Sequence, residues 1–101
     1  MIITTMHIER PEGTTVASGL LAQYDLAAPA PAVDLDHGRD FLLYDVYIDM
    51  VAGVTLRQRD VLVDDSNNDP LTGTNVRMRV VTVEQFDGEH FEARCQQIIG
   101  S

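Results

Sequence analysis

The sequence predicts an all-β chain, a small antiparallel β-barrel or sandwich of six to seven short strands with long loops. Three observations lead there. Val, Ile, Thr and Phe gather in short runs whose branched or flat side chains suit a pleated surface. Turn-forming residues interrupt these runs about every eight to twelve positions. The stretch from Arg59 to Ile98 then reads strand, turn, strand, turn, strand, a meander onto which the rest of the chain must pack. With 101 residues there is room for one domain, 1–101, burying roughly 60–68% of the surface of its unfolded chain.

In chain order, Ile2 to Glu9 alternates weakly as a first strand, with Ile2, Thr4, Met6 and Ile8 on one face and Ile3, Thr5 and His7 on the other. Pro11-Glu12-Gly13 supplies a turn, because Pro fixes φ and Gly permits a positive one. Thr14 to Leu26 fits both a helical face and a period of two. Gly19 in its middle and the Thr-Thr-Val start favour a strand. Ala27 to Asp40 holds Pro29 and Pro31 and a polar, glycine-containing tail, and reads as one long loop.

Phe41 to Met50 alternates well, with Leu42, Tyr44, Val46, Ile48 and Met50 on one face and Asp45 and Asp49 flanking Tyr47 on the other. Turns follow at Ala52-Gly53 and at Arg57 to Asp60, before a short strand Val61 to Val63. Asp64 to Thr74 is the most polar part of the chain and reads as a loop. Val76, Met78 and Val80 alternate with Arg77, Arg79 and Val81, and the adjacent Val80 and Val81 require a bulge or burial on both faces. Asp87-Gly88 marks a last hairpin with a two- or four-residue loop. The longer loop would set Phe86 opposite Phe91.

Charge narrows the functions. Sixteen acidic residues face seven basic ones, a net −9, and the chain has no Lys, so every side-chain cation other than His is Arg. No basic stripe is present to release counterions from a phosphate backbone, which argues against sequence-independent nucleic-acid binding. Such acidity suits a soluble, self-repelling surface, one that repels or mimics DNA, or one that meets a basic partner. The N-terminal residues lack the features of a signal peptide and no apolar run reaches the ~18 residues of a membrane span, so a protein of the cytosol, or assembled there, is expected.

Candidate chemistry is thin. Asp65-Ser-Asn-Asn-Asp spaces oxygens as a calcium loop does, but Pro70 replaces the required Gly and Val76 the bidentate Glu. An Asx-rich turn bonding its own backbone is the better reading. His7, His37 and His90 are scattered, so neither a metal site nor any cofactor is expected. Cys95 is alone in an apolar-alternating run and reads as packing rather than as a nucleophile. With no Trp and six aromatics there is little to build a sugar cleft around the paired carboxylates. No catalytic residues are assigned and no enzyme is expected.

The runs Arg59 to Asp64, Asp69-Pro70-Leu71-Thr72-Gly73-Thr74, Val76 to Val83 and His90 to Ala93 together resemble the C-terminal half of the head-closure or head–tail adaptor proteins of tailed bacteriophages. That family often has Gly where Arg59 stands and an aromatic where Val76 stands. The resemblance implies a non-enzymatic structural virion protein, assembled in the host cytoplasm into a homo-oligomeric ring at the head–tail interface. Its neighbours would be portal or adaptor and tail proteins, with DNA passing and not specifically bound, and no membrane involved. On this reading Asp34, Asp36, Asp64, Asp65, Asn68 and Asp69 face the channel or an interface, and Arg77, Arg79 and Arg94 pair with carboxylates across strands or subunits. An edge strand such as Ile2 to Glu9 could pair with a neighbouring subunit. The alternatives are a minor tail or capsid-decorating protein, and an acidic decoy that mimics DNA before a DNA-binding protein.

Overall fold

The structure is a computed structural model that describes residues 2–26, 32–34, 39–41, 43–49, 53–68, 73–86 and 89–98, with the side chains of 26, 32–34 and 39–41 outside the description. Its strands are β1 (Ile2–Glu9), β2 (Thr15–Leu26), β3 (Ala32–Asp34), β4 (Arg39–Phe41), β5 (Leu43–Asp49), β6 (Val61–Asn68), β7 (Asn75–Phe86) and β8 (His90–Gln97). Six of them close a barrel in the order β1-β2-β5-β8-β7-β6, while β3 and β4 pair as a separate two-stranded sheet. All pairings are antiparallel.

The alternation read from the sequence is the alternation that fills the barrel. Met6, Ile8, Leu20, Ala22, Val46, Ile48, Leu62, Met78, Val80, Phe91, Ala93 and Cys95 point inward and are buried, so side chains occupy the interior. Leu56 adds a plug from the segment before β6. Register shifts in the β1–β2, β6–β7 and β7–β8 ladders let long strands wrap this core. Gly19, at φ 68°, sits where β2 carries an extra residue between the Met6–Leu20 and Ile8–Ala17 pairs, a conformation that a side chain disfavours. Val81 is the extra residue between the Val80–Cys95 and Thr82–Arg94 pairs, which resolves the adjacent valines as a bulge.

Four expectations need correction. Part of the Ala27 to Asp40 stretch is a hairpin, β3 with β4, because Ala32–Asp34 and Arg39–Phe41 pair across the polar residues between them. Asp64 is not where a loop begins: β6 runs on to Asn68, held by hydrogen bonds to the Asp64 carboxylate. Phe86 stands opposite His90 and not Phe91, because three residues separate β7 from β8. Phe91 turns inward and Phe86 outward. Finally, β1 is not an edge along its whole length: Met6 to Glu9 pair with β2 on one side and β6 on the other, while Ile2 to Thr5 pair with β2 alone.

Two buried carboxylates hold the barrel at different levels. Asp64, with no exposed surface, accepts five hydrogen bonds: Thr4 Oγ1 (2.6 Å), Tyr24 OH (2.7 Å), Asn67 Nδ2 (2.8 Å) and the backbone N–H of Ser66 and Asn67 (2.9 and 3.1 Å). Burial pushes its carboxyl upward, but these donors outweigh that and hold it below the ordinary value. Tyr24 is raised by burial and by donating to Asp64, and its ring meets Tyr44 edge to face at 5.4 Å. Asp60, 1% exposed, accepts from Arg10 Nη1 and from the Arg57 N–H (2.8 Å), while Arg10 Nη2 reaches the Thr55 carbonyl (3.1 Å). That clamp ties the end of β1 to the turn before β6.

The turn itself is strained. Arg59 adopts φ 76°, while its N–H donates to the Val80 carbonyl at 2.8 Å. An L-residue there costs about 1–2 kcal/mol, so Arg59→Gly is expected to stabilise the fold by about 1 kcal/mol, part of the gain being offset by the flexibility of Gly in the unfolded chain. A thermal melt should rise by about 4–8 °C. An unchanged or lower melting temperature would show that the Arg59 side chain compensates the strain.

Candidate functional site

The outer face of β2, β5, β8 and β7 is built from the residues that alternate with the core. From β2 it takes Leu21, Gln23 and Asp25, from β5 Asp45, Tyr47 and Asp49, from β8 His90, Glu92 and Arg94, and from β7 Glu84 and Phe86. The register sets Asp25 directly opposite Asp45, and Glu84 directly opposite Glu92. Like charges so placed repel one another across a sheet. Arg94 Nε donates to Asp45 Oδ1 at 3.2 Å and offsets part of the repulsion.

Beside these pairs lies a groove of about 500 Å³, lined among others by Ile3, Leu21, Tyr47, Asp49, His90 and Glu92. Ile3 is 71% exposed and Leu21 54%, high values for aliphatic side chains on an otherwise acidic face. Tyr47 and His90 lie 5.8 Å apart, and Phe86 stacks on His90 at 4.9 Å with an interplanar angle of 13°. His90 Nε2 contacts Glu92 Oε2 at 3.1 Å, and the Glu92 charge raises the Tyr47 phenol above its ordinary value. An aliphatic and aromatic floor under a carboxylate rim suits a cation on a long apolar stem, above all a guanidinium that can stack on a ring.

A second cluster crosses the outer face of β1, β6 and β7. Asp65 Oδ1 meets His7 Nδ1 at 2.6 Å, His7 Nε2 meets Glu9 Oε2 at 2.7 Å, and Arg77 Nη2 donates to Glu9 Oε1 at 2.9 Å. Beneath them Val61 and Val63, outward by parity, are nonetheless buried. With carboxylates on both ring nitrogens, His7 is a bridge between two anions. Burial alone would lower it, but the hydrogen bonds to Glu9 and Asp65 outweigh that and raise it. The His7 hydrogen bond, ahead of Arg77, holds Glu9 below its usual range.

The sign for stability follows from linkage. The raised His7 value means its contribution is complete below about 6.5 and is lost as pH rises through the folded-state value. The cluster is partly solvated, so the effect is expected to stay under about 1 kcal/mol. NMR titration should place His7 above 6.5, and the stability gap between wild type and His7→Gln should shrink as pH climbs past that point. A value at or below 6.5 would remove the bridge as a stabilising element.

The structure separates the residues expected at a channel or interface. Asp64 is inside the barrel and available to neither. Asp65 is on the outer face, bound to His7, and Asn68 is exposed at the end of β6. The Asp34 side chain, Asp36 and Asp69 lie outside the described residues. Arg77 reaches Glu9 across β6, Arg94 reaches Asp45 on the adjacent strand, and Arg79 is exposed on β7 without an ion pair to a described residue. The groove went unread because its residues come from four strands and meet only in the folded barrel. The one local signal was Ile3 on the polar side of its strand.

Other candidate chemistry finds no support in the geometry. Among the described residues no group of three His, Cys, Asp or Glu could hold a metal ion. Cys95 is buried in the core, and desolvation pushes its thiol up to about 12. Comparison with protein-family models, with curated proteins and with solved structures finds no match to this chain.

Proposed function

We propose that this chain is a structural virion protein of a tailed phage, a subunit of a ring at the head–tail connector through which DNA passes. The acidic outer face supports this reading best. Carboxylates stand directly opposite one another there and so build a concentrated negative potential. A wall of such subunits repels phosphates, and DNA slides past it. The interior of each barrel is filled by its own core, so the passage is the space a ring encloses, not the barrel axis. The resemblance of Arg59 to Ile98 to head-closure and adaptor proteins points the same way, with portal or adaptor proteins on one side and tail proteins on the other.

The same array of carboxylates favours one other reading, an acidic decoy that occupies the basic surface of a DNA-binding protein. The mass of the purified chain, measured alone and then with portal-bearing phage heads, separates the two. A defined ring on the heads is the expected result. A chain that stays monomeric, ignores heads and inhibits a DNA-binding protein would overturn the connector reading in favour of the decoy.

A further inference from the structure

We propose that copies of this chain associate head to tail, the acidic groove of one copy receiving Arg57, Arg59 and Arg79 from the opposite side of the next. The contact rests on the ring reading above and names the surfaces that would form it.

The argument begins with the seven arginines, the chain's only cations besides histidine. Arg10 is held by Asp60, Arg77 by Glu9 and Arg94 by Asp45, and the Arg39 side chain lies outside the described residues. Arg57, Arg59 and Arg79 are exposed and make no ion pair with a described residue. They are brought together by the fold. Arg59 is hydrogen-bonded to the Val80 carbonyl, next in chain to Arg79, and Arg79 stands opposite Val61 at the start of β6. Arg59 occupies a backbone conformation that favours glycine, so an arginine is kept there against local strain, as happens where a side chain is needed for contact.

The barrel circuit then fixes where this basic patch lies. In the order β1-β2-β5-β8-β7-β6, the pair β6 and β7 is separated from the pair β2 and β5 by β1 on one side and β8 on the other. The basic patch, on β7 and the turn before β6, thus lies across the barrel from the middle of the groove on β2 and β5, whose rims reach β1 at Ile3 and β8 at His90 and Glu92. One surface offers aliphatic and aromatic side chains rimmed by Asp49, Glu89 and Glu92, and the other offers guanidinium groups on flexible stems. Two complementary patches on opposite sides make a heterologous contact, the kind that repeats into a closed ring or a filament.

Sedimentation of three proteins tests the contact. They are wild type, a groove variant (Asp49→Arg with Glu92→Arg) and an arginine variant (Arg57→Glu with Arg59→Glu and Arg79→Glu), each checked for folding by circular dichroism. Wild type is expected to associate at low salt and to dissociate near 1 M salt, where the Debye length is about 3 Å. Each variant alone should show a dissociation constant raised about tenfold or more. Mixed together they should recover association, because each reversed surface then meets its opposite. Variants that associate like wild type, a mixture that fails to recover, or a wild type still monomeric at about 1 mM would each overturn the contact. Rings on phage heads that survive both substitutions would remove the contact and leave the connector reading. Association through these residues by a chain that ignores heads would do the reverse.

Discussion

Replacing Asp64 by alanine is expected to lower stability by about 3–5 kcal/mol, a large part of the ~5–15 kcal/mol that holds a domain of this size together. The cost arises from what is left behind. Thr4, Tyr24, Ser66 and Asn67 all donate to this one carboxylate, and its removal strands those donors beneath the barrel wall. Tyr24→Phe removes one donor while leaving the acceptor satisfied, and should cost only about 1 kcal/mol. Urea unfolding measures both. Because the folded-state value of Asp64 is depressed, its contribution is complete above about 3.8 and is lost as pH falls through the folded-state value. The alanine variant should lack that part of the acid sensitivity. A loss below about 1 kcal/mol on Asp64→Ala would mean that water replaces the carboxylate and that the network is not a structural centre.

The second large effect is expected at the other buried acid. Arg10→Met leaves the Asp60 carboxylate, 1% exposed, facing only the Arg57 N–H, and should cost about 3–5 kcal/mol. Asp60→Leu should cost less, because the Arg10 guanidinium can turn toward solvent. The double variant should recover much of the loss, since an apolar pair of similar volume substitutes well for a buried ion pair. A double-mutant cycle in urea reads the coupling directly. If the two single losses simply add, Arg10 and Asp60 act independently and the clamp between β1 and the 57–60 turn is not what holds that end of the barrel.

Much of the fold could be read from alternation, and the reason is local. In β1, β5 and β8 most inward residues are apolar and recur at every second position, so parity assigns Met6, Ile8, Val46, Ile48, Phe91 and Cys95 to the core. The adjacent Val80 and Val81 announced a bulge for the same reason, a break in parity. Asp64 was hidden because it opens the most polar run in the chain, and composition there says loop. Its signal was on other strands: Thr4 and Tyr24 sit at inward positions, and two inward hydroxyls require an acceptor. Closure of β1 onto β6 was illegible because it joins residues such as His7 and Val63, far apart in the chain, and no local pattern encodes that pairing. The groove depends on three strand pairings, β1 with β2, β2 with β5 and β5 with β8, so its residues carry no mark in the linear order.

The closed circuit of six strands has one more consequence. Where a barrel strand pairs on both sides, as β1 does over Met6 to Glu9, its backbone groups are satisfied within the sheet, so over such stretches a neighbour is recognised through side chains and not by extending the sheet. Partner choice is then written in residues that the core does not use. Such a surface can be re-addressed to a new partner by a few substitutions while the barrel beneath stays as it is.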